Sequence, residues 1–106
     1  MTKVGDISEQ RHIARMAHDF GVKYIGHGWN TALGVAADLQ LARALSDCDL
    51  VEFIGGSPYV DGILQQHFTL DADGYLNIPD QPGLGVELDP DKVARYAPDA
   101  AAFFAG

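Results

Sequence analysis

Residues 23–62 read KYIGHGWNTALGVAADLQLARALSDCDLVEFIGGSPYVDG, and this stretch decides how the chain is organised. Two short apolar runs, 22–25 at its start and 50–54 within it, each end in a glycine-bearing loop, and the pattern is typical of buried strands. An alanine-rich segment between them has helical spacing. The order strand, helix, strand predicts a parallel pair of strands with a right-handed crossover.

Two longer helices are predicted from their end signals. Asp6, with Glu9 three residues later, is an N-cap pattern for a helix from about Ile7 to His18, and Gly21 is a typical stop. The apolar stripe on this helix has the i, i+3, i+4, i+7 spacing and consists of Ile13, Met16, Ala17 and Phe20. The second helix should run from Asn30 or Thr31 to about Leu45. Its predicted buried face consists of Ala32, Val35, Ala36 and Leu39.

The pattern changes after Gly62. The runs 68–70 and 75–78 flank Asp71-Ala72-Asp73-Gly74, which predicts a β-hairpin. Asp89 and Pro90 then suit the N-cap and first position of a short helix that ends near Tyr96. We expect the alanine-rich tail 100–106 to be loosely held. Residues 1–62 would form one unit of α/β structure, and residues 63–106 an appendage that is not an independent domain.

Composition limits the classes of partner. A chain of 106 residues with a formal charge of −8 fits one domain and lacks the basic surface that nucleic acids or anionic membranes require. Cys48 is the single cysteine, so an intramolecular disulfide and a cysteine zinc cluster are excluded. With neither a secretory leader nor an apolar run long enough to span a bilayer, we expect a cytoplasmic protein.

His27 and Glu52 are the candidate chemical groups. His27 follows the first predicted strand between two glycines, and histidine ordinarily titrates near neutral pH, so it suits proton transfer; the alternative is a histidine bonded to the loop backbone. Glu52 lies inside an apolar strand, where it would bind a ligand, form a structural salt bridge or occupy an exposed face. The other histidines, His12, His18 and His67, favour surface roles.

The order of motifs resembles the C-terminal part of the mandelate racemase/muconate lactonizing enzyme group of the enolase superfamily. The motifs are GVKYIGH at 21–27, DLVEF at 49–53, DGYLNIP at 73–79 and PGLGVELD at 82–89, and the match covers nearly all of residues 3–97. The resemblance implies the last βα units of a TIM-type (β/α) barrel, followed by a hairpin that returns toward a capping domain. Enzymes of (β/α)-barrel type place catalytic groups at the carboxyl ends of strands.

The resemblance also implies roles for individual residues. His27 matches the histidine after the seventh barrel strand, a general acid or base, and Glu52 matches the eighth-strand glutamate that hydrogen-bonds the substrate carboxylate. Trp29 and Asn30 would line the substrate side of the seventh loop. The group removes the proton α to a carboxylate with Mg²⁺, as acid-sugar dehydratases and racemases do, and the sequence does not choose between these two reactions.

The chain departs from the group in what it lacks. The three acidic metal ligands lie on the third to fifth strands and the lysine motif on the second, and none of these strands is present. We therefore expect no Mg²⁺ to be held by this chain alone and no catalysis by the isolated chain. The alternative is a non-catalytic module that self-associates or binds a small carboxylate. Because two parallel strands leave unpaired edges, we expect a homo-oligomer.

Overall fold

The computed structural model describes residues 3–58, 62–97 and 99–105. Within them the regular elements are α1 (Ile7–Asp19), α2 (Ala32–Ala44), α3 (Pro90–Ala94) and α4 (Ala100–Phe104). No helix in this part of the chain is long and apolar enough to cross a membrane. Extended segments and turns connect the helices, and α2 lies at the centre of the packing.

Both predicted ends of α1 are confirmed. The Asp6 carboxylate accepts a hydrogen bond from the backbone N–H of Glu9 at 2.7 Å. At the other end Gly21 has φ 65°, its N–H donates to the carbonyl of His18, and the N–H of Val22 donates to that of Ala17. This pair of bonds is the Schellman arrangement, which requires a residue that tolerates positive φ.

The apolar stripe of α1 is not the face that the helix buries. The helix buries Gln10 and Ala14, whereas Met16 is 50% exposed and Phe20 80% exposed. Helix α1 packs on α2 in this structure, and the contact selects the small Ala14 and the polar Gln10. The apolar stripe had the correct helical period, but periodicity does not say which neighbour is available to cover it.

Helix α2 supplies one side of the core, as predicted. Ala32, Val35, Ala36 and Leu39 are all at most 3% exposed, and they pack with Leu64 and Phe68. The partly buried hydrophobic residues packed against this cluster all lie between positions 51 and 88: Val51, Phe53, Ile63, Leu76, Ile78, Leu84, Val86 and Leu88. The rings of Phe53 and Phe68 meet edge to face with centroids 6.3 Å apart, a favourable aromatic geometry.

The two predicted strands are extended segments without a β-ladder. Lys23 forms an ion pair with Asp49 at 2.8 Å, and Gly28 hydrogen-bonds the Glu52 side chain. The segments 22–28 and 48–54 therefore run side by side in the same direction. No backbone hydrogen bond joins them in the described part of the chain. A parallel pair is weak without neighbours on both edges, and no neighbouring strand is formed in the described residues.

The C-terminal hairpin is reduced to a turn with a single antiparallel bridge. Leu70 and Leu76 form that bridge, and the Asp71 carboxylate accepts hydrogen bonds from the N–H groups of Asp73 and Tyr75. The predicted two-stranded hairpin is thus not confirmed, although the chain reverses at the predicted glycine. A second bridge pairs Leu64 with Leu88.

The last two helices are short. Asp89 caps α3 by accepting from the N–H groups of Asp91 and Lys92, with Pro90 in the first turn, as predicted. The tail forms α4, in which Ala100 is 7% exposed. Helix α4 contacts α3, and the expectation that the tail is loosely held stays a prediction. Gly106 lies outside the described residues.

Candidate functional site

His27 lies in the loop between the first extended segment and α2. The side chain of His27 is exposed and makes no hydrogen bond or ion pair to another described residue. Its backbone carbonyl accepts a hydrogen bond from Asn30 Nδ2 at 2.6 Å. The alternative, in which the His27 ring is hydrogen-bonded to the loop backbone, is therefore not observed among the described residues. The backbone is held while the imidazole remains accessible.

Glu52 comes to this loop from the second extended segment. Its Oε2 accepts a hydrogen bond from the backbone N–H of Gly28 at 2.7 Å. The side chain is exposed and forms no ion pair with a described residue. One carboxylate oxygen is therefore fixed next to the residue that follows His27. The two candidate groups lie 25 positions apart in sequence and meet at one loop.

Gly28 makes this meeting possible. The residue is buried, and its backbone lies against the carbonyl group of Glu52. A β-carbon at position 28 would overlap the Glu52 carbonyl oxygen, whereas one at Gly26 would lie 3.5 Å from Cγ of Asp38, an ordinary contact. Of the two glycines that flank His27, only Gly28 is required by the space available.

Trp29 and Asn30 complete the loop in different ways. The N–H of Asn30 donates to the carbonyl of Gly28 at 3.0 Å, which makes a tight turn with Trp29 at its apex. Trp29 is accordingly 67% exposed. The side chain of Asn30 is half-buried and points back into the loop, where it bonds the His27 carbonyl. The assignment of both residues to substrate binding stays a prediction.

Sequence reasoning missed Asp38 and Gln10. Asp38 lies on α2, is 8% exposed, and its Oδ1 accepts a hydrogen bond from Gln10 Nε2 at 2.9 Å. Gln10, on α1, is 5% exposed. A signal was present, because Asp38 is the one acidic residue between Ala32 and Ala44 in a run of alanine and leucine, and a carboxylate in such a helix requires polar partners.

The space beneath the loop is too small for a substrate. Its cavity, lined by Tyr24, Gly26, Asp38, Cys48 and other residues, has a volume of about 10 Å³, which is roughly room for one water molecule. Burial raises the pKa of Tyr24, and the polar side chain of Gln10 opposes that rise. Burial also raises the pKa of the Cys48 thiol, so Cys48 is a poor candidate for a nucleophile.

The residues do not fit a magnesium site. Mg²⁺ requires several oxygen ligands in octahedral geometry. In the described part of the chain, no group of three or more histidine, cysteine or acidic side chains is close enough to hold a metal ion. The Glu52 oxygen nearest the loop already accepts a backbone N–H. We therefore assign no metal ligand among the residues that the structure describes.

Comparison with known proteins identifies the family. The sequence profile of the family described as "Enolase C-terminal domain-like" matches residues 1–92. The chain belongs to this family. The resemblance to the muconate lactonizing enzyme group of the enolase superfamily is confirmed, since muconate cycloisomerases and acid-sugar dehydratases are among the relatives. The enolase C-terminal domain-like family is related to the TIM barrel, but no strand is formed in the described residues.

Three curated relatives illustrate the family. A D-galactonate dehydratase family member of Streptomyces bingchenggensis is 35% identical over 98 residues, 91% of this chain and 24% of the relative. A D-galactarolactone cycloisomerase of Agrobacterium fabrum is 31% identical, covering 87% of this chain and 26% of the relative. A muconate cycloisomerase 1 of Rhodococcus opacus is 32% identical, covering 90% and 26%. The chain spans about a quarter of the length of these relatives.

Proposed function

We propose that this chain supplies the seventh and eighth βα positions of an enzyme that removes the proton α to the carboxylate of an acid sugar. His27 transfers the proton, and Glu52 hydrogen-bonds the substrate carboxylate. Trp29 and Asn30 lie on the substrate side of the same loop. We place this activity in the cytoplasm, because the lone Cys48 serves no disulfide within the chain.

The hydrogen bond between Gly28 N–H and Glu52 Oε2 is the observation that carries the proposal. It brings the two groups to one loop while the His27 ring stays exposed. With one oxygen of Glu52 fixed by the backbone, the orientation of the other is also restricted. That second oxygen donates to a substrate carboxylate when it carries the proton.

The isolated chain does not catalyse this reaction under our proposal. A proton α to a carboxylate is weakly acidic, so its removal depends on electrostatic stabilisation of the developing charge. A general base alone contributes typically ~10²–10⁴-fold. The metal ligands must come from acidic residues that this chain does not contain. An Mg²⁺-dependent exchange of an α-proton by the chain alone, lost in His27→Ala, would contradict this part of the proposal.

A chimera tests the assigned roles. The matching quarter of the Streptomyces relative is replaced by this chain, along the region in which the two are 35% identical. The chimera is incubated with Mg²⁺ and a panel of aldonates and aldarates in D₂O, and NMR follows α-proton exchange and product formation. We expect turnover of at least one acid sugar. His27→Ala and Glu52→Ala should each abolish it.

His12→Ala is the matched control. His12 is an exposed histidine on α1, so its loss removes an imidazole without touching the loop, and activity should persist. A chimera that folds and binds Mg²⁺ but keeps its activity in His27→Ala would exclude His27 as the proton-transfer group. The ratio of dehydrated to epimerised product decides between a dehydratase and a racemase.

A non-catalytic, self-associating module is the second candidate. The exposed stripe on α1 favours it, because Ile13, Met16 and Phe20 are 36%, 50% and 80% exposed, and clustered apolar surface is typical of contact sites. A second copy of the chain would cover this stripe and the segments 22–28 and 48–54, which form no β-ladder. Phe20→Lys should then lower the mass measured by light scattering at micromolar concentration. A monodisperse monomer of the unmodified chain excludes the module.

A further inference from the structure

We propose that Asp38 is a positioning residue, which holds the loop 26–30 and thereby fixes the backbone at His27. This inference rests on the proposed role of His27 in proton transfer. It concerns a residue of α2 that the comparisons and the sequence motifs leave without a role. Asp38 acts through the loop and does not itself touch the reacting atoms.

Asp38 contacts the loop at both of its ends. A β-carbon built on Gly26 would lie 3.5 Å from Asp38 Cγ, so the backbone at Gly26 is packed over the carboxylate. At the far end, Asn30 Nδ2 lies 3.4 Å from Asp38 Oδ2 and 2.6 Å from the His27 carbonyl oxygen. The amide of Asn30 has two hydrogens, so it links the carboxylate to the backbone of His27.

The Asp38 carboxylate is also held by a residue of α1. Gln10 on α1 donates to Asp38 Oδ1 at 2.9 Å, and both residues are at least nine-tenths buried. Gln10, Asp38, Asn30 and His27 therefore form a continuous chain of contacts from α1 through α2 to the candidate site. Because both oxygens of Asp38 are hydrogen-bonded, its side chain has few alternative rotamers. The Asn30 amide that it binds is therefore restrained as well.

The cost of burying this carboxylate supports a specific role for it. Removing a carboxylate from water is costly unless hydrogen bonds replace the lost hydration. The buried surface of α2 otherwise consists of alanine, glycine, valine and leucine, and an alanine at position 38 would satisfy the helix without that cost. The two oxygens of Asp38 instead bind the Gln10 amide and the Asn30 amide.

Amide hydrogen exchange in the 106-residue chain tests the proposal without requiring activity. The reporters are the N–H groups of Gly28, which bonds Glu52, and Asn30, which bonds the Gly28 carbonyl. Asp38→Ala should raise exchange at both by at least about fivefold relative to an amide in the middle of α1, because the loop opens locally once its anchor is removed. Asp38→Asn retains one acceptor oxygen, so it should give an intermediate increase.

Two further variants separate positioning from general destabilisation. Asn30→Ala breaks the link between Asp38 and His27, and adding Asp38→Ala to it should change exchange at Gly28 by less than Asp38→Ala does alone, since both variants break that link and only the contact at Gly26 remains to be lost. Gln40→Ala is the matched control on the same helix. Its side chain bonds the carbonyls of Pro79 and Leu84 on the other side of α2, so exchange in the loop should be unchanged.

The outcomes distinguish this inference from the proposed function. If Asp38→Ala raises the exchange rates of the Gly28 and Asn30 amides only as much as that of the α1 amide, the positioning role is overturned. This holds whatever the activity of the chimera. Local opening of the loop supports it, as does a fall in chimera kcat at unchanged KM that Asp38→Asn partly restores. Full activity of the His27→Ala chimera overturns the proposed function, and exchange in the loop would then still decide whether Asp38 holds it.

Discussion

Gly26 and Gly28 flank the same histidine, and the structure predicts opposite results when each is changed to alanine. Neither has a positive φ, so the difference rests on space alone. A β-carbon at position 26 meets Asp38 at ordinary contact distance, whereas one at position 28 would overlap the carbonyl oxygen of Glu52. That neighbour is backbone, which cannot rotate away as a side chain would.

The magnitude for Gly28→Ala follows from two losses. Overpacking against fixed atoms costs about 1–3 kcal/mol, and moving the loop breaks the hydrogen bond to Glu52, worth about 1 kcal/mol. The free energy of unfolding should therefore fall by about 2–4 kcal/mol in total. Gly26→Ala should change it by less than about 0.5 kcal/mol, or raise it slightly by reducing the entropy of the unfolded chain.

Urea denaturation followed by far-ultraviolet circular dichroism measures both variants. Trp29, the single tryptophan, is a second probe next to Gly28, and its fluorescence should change in the native baseline of Gly28→Ala only. The expected gap corresponds to a difference in Tm on the order of 10 °C. If Gly28→Ala proves as stable as Gly26→Ala, with the same tryptophan spectrum, the loop does not lie against Glu52 in solution and the site described above is incorrect.

Three further predictions concern the scaffold. Asp6→Ala should lower the free energy of unfolding by about 1 kcal/mol in a denaturant titration, because the Glu9 N–H loses its acceptor; Asp6→Asn should largely restore it. Leu64→Ala should cost about 2–5 kcal/mol, since Leu64 is fully buried; a loss like that of an exposed leucine would refute the core assignment. The backbone N–H of Lys92 lowers the pKa of Asp89, so the stabilisation of α3 is present above the ordinary aspartate pKa and disappears as pH falls through the lowered value. The NMR chemical shift of the Lys92 amide should report this loss on acidification of the unmodified chain, and it should not change in Asp89→Ala. A Lys92 amide shift that does not respond to acid in the unmodified chain would contradict the prediction.

Much of the helical structure could be predicted because its signals are local. The N-caps Asp6 and Asp89 act on N–H groups two or three residues away, and Gly21 ends α1 through its own φ. The buried face of α2 was also visible, since a helix of alanine, valine and leucine has to be covered on its apolar side. The family could be inferred from the order of short motifs, without knowing how they pack.

The sequence by itself determined the caps at Asp6 and Asp89, the extent of α1 and α2 and the identity of His27 and Glu52 as candidates. Only the tertiary structure decided that α1 turns Gln10 and Ala14 inward, that the predicted strands form no ladder, and that Glu52 binds the Gly28 N–H. The physical reason is the range of the interactions involved. A cap depends on neighbours in the chain, whereas a ladder, a buried face or a carboxylate's partner depends on which distant segment is present to receive it.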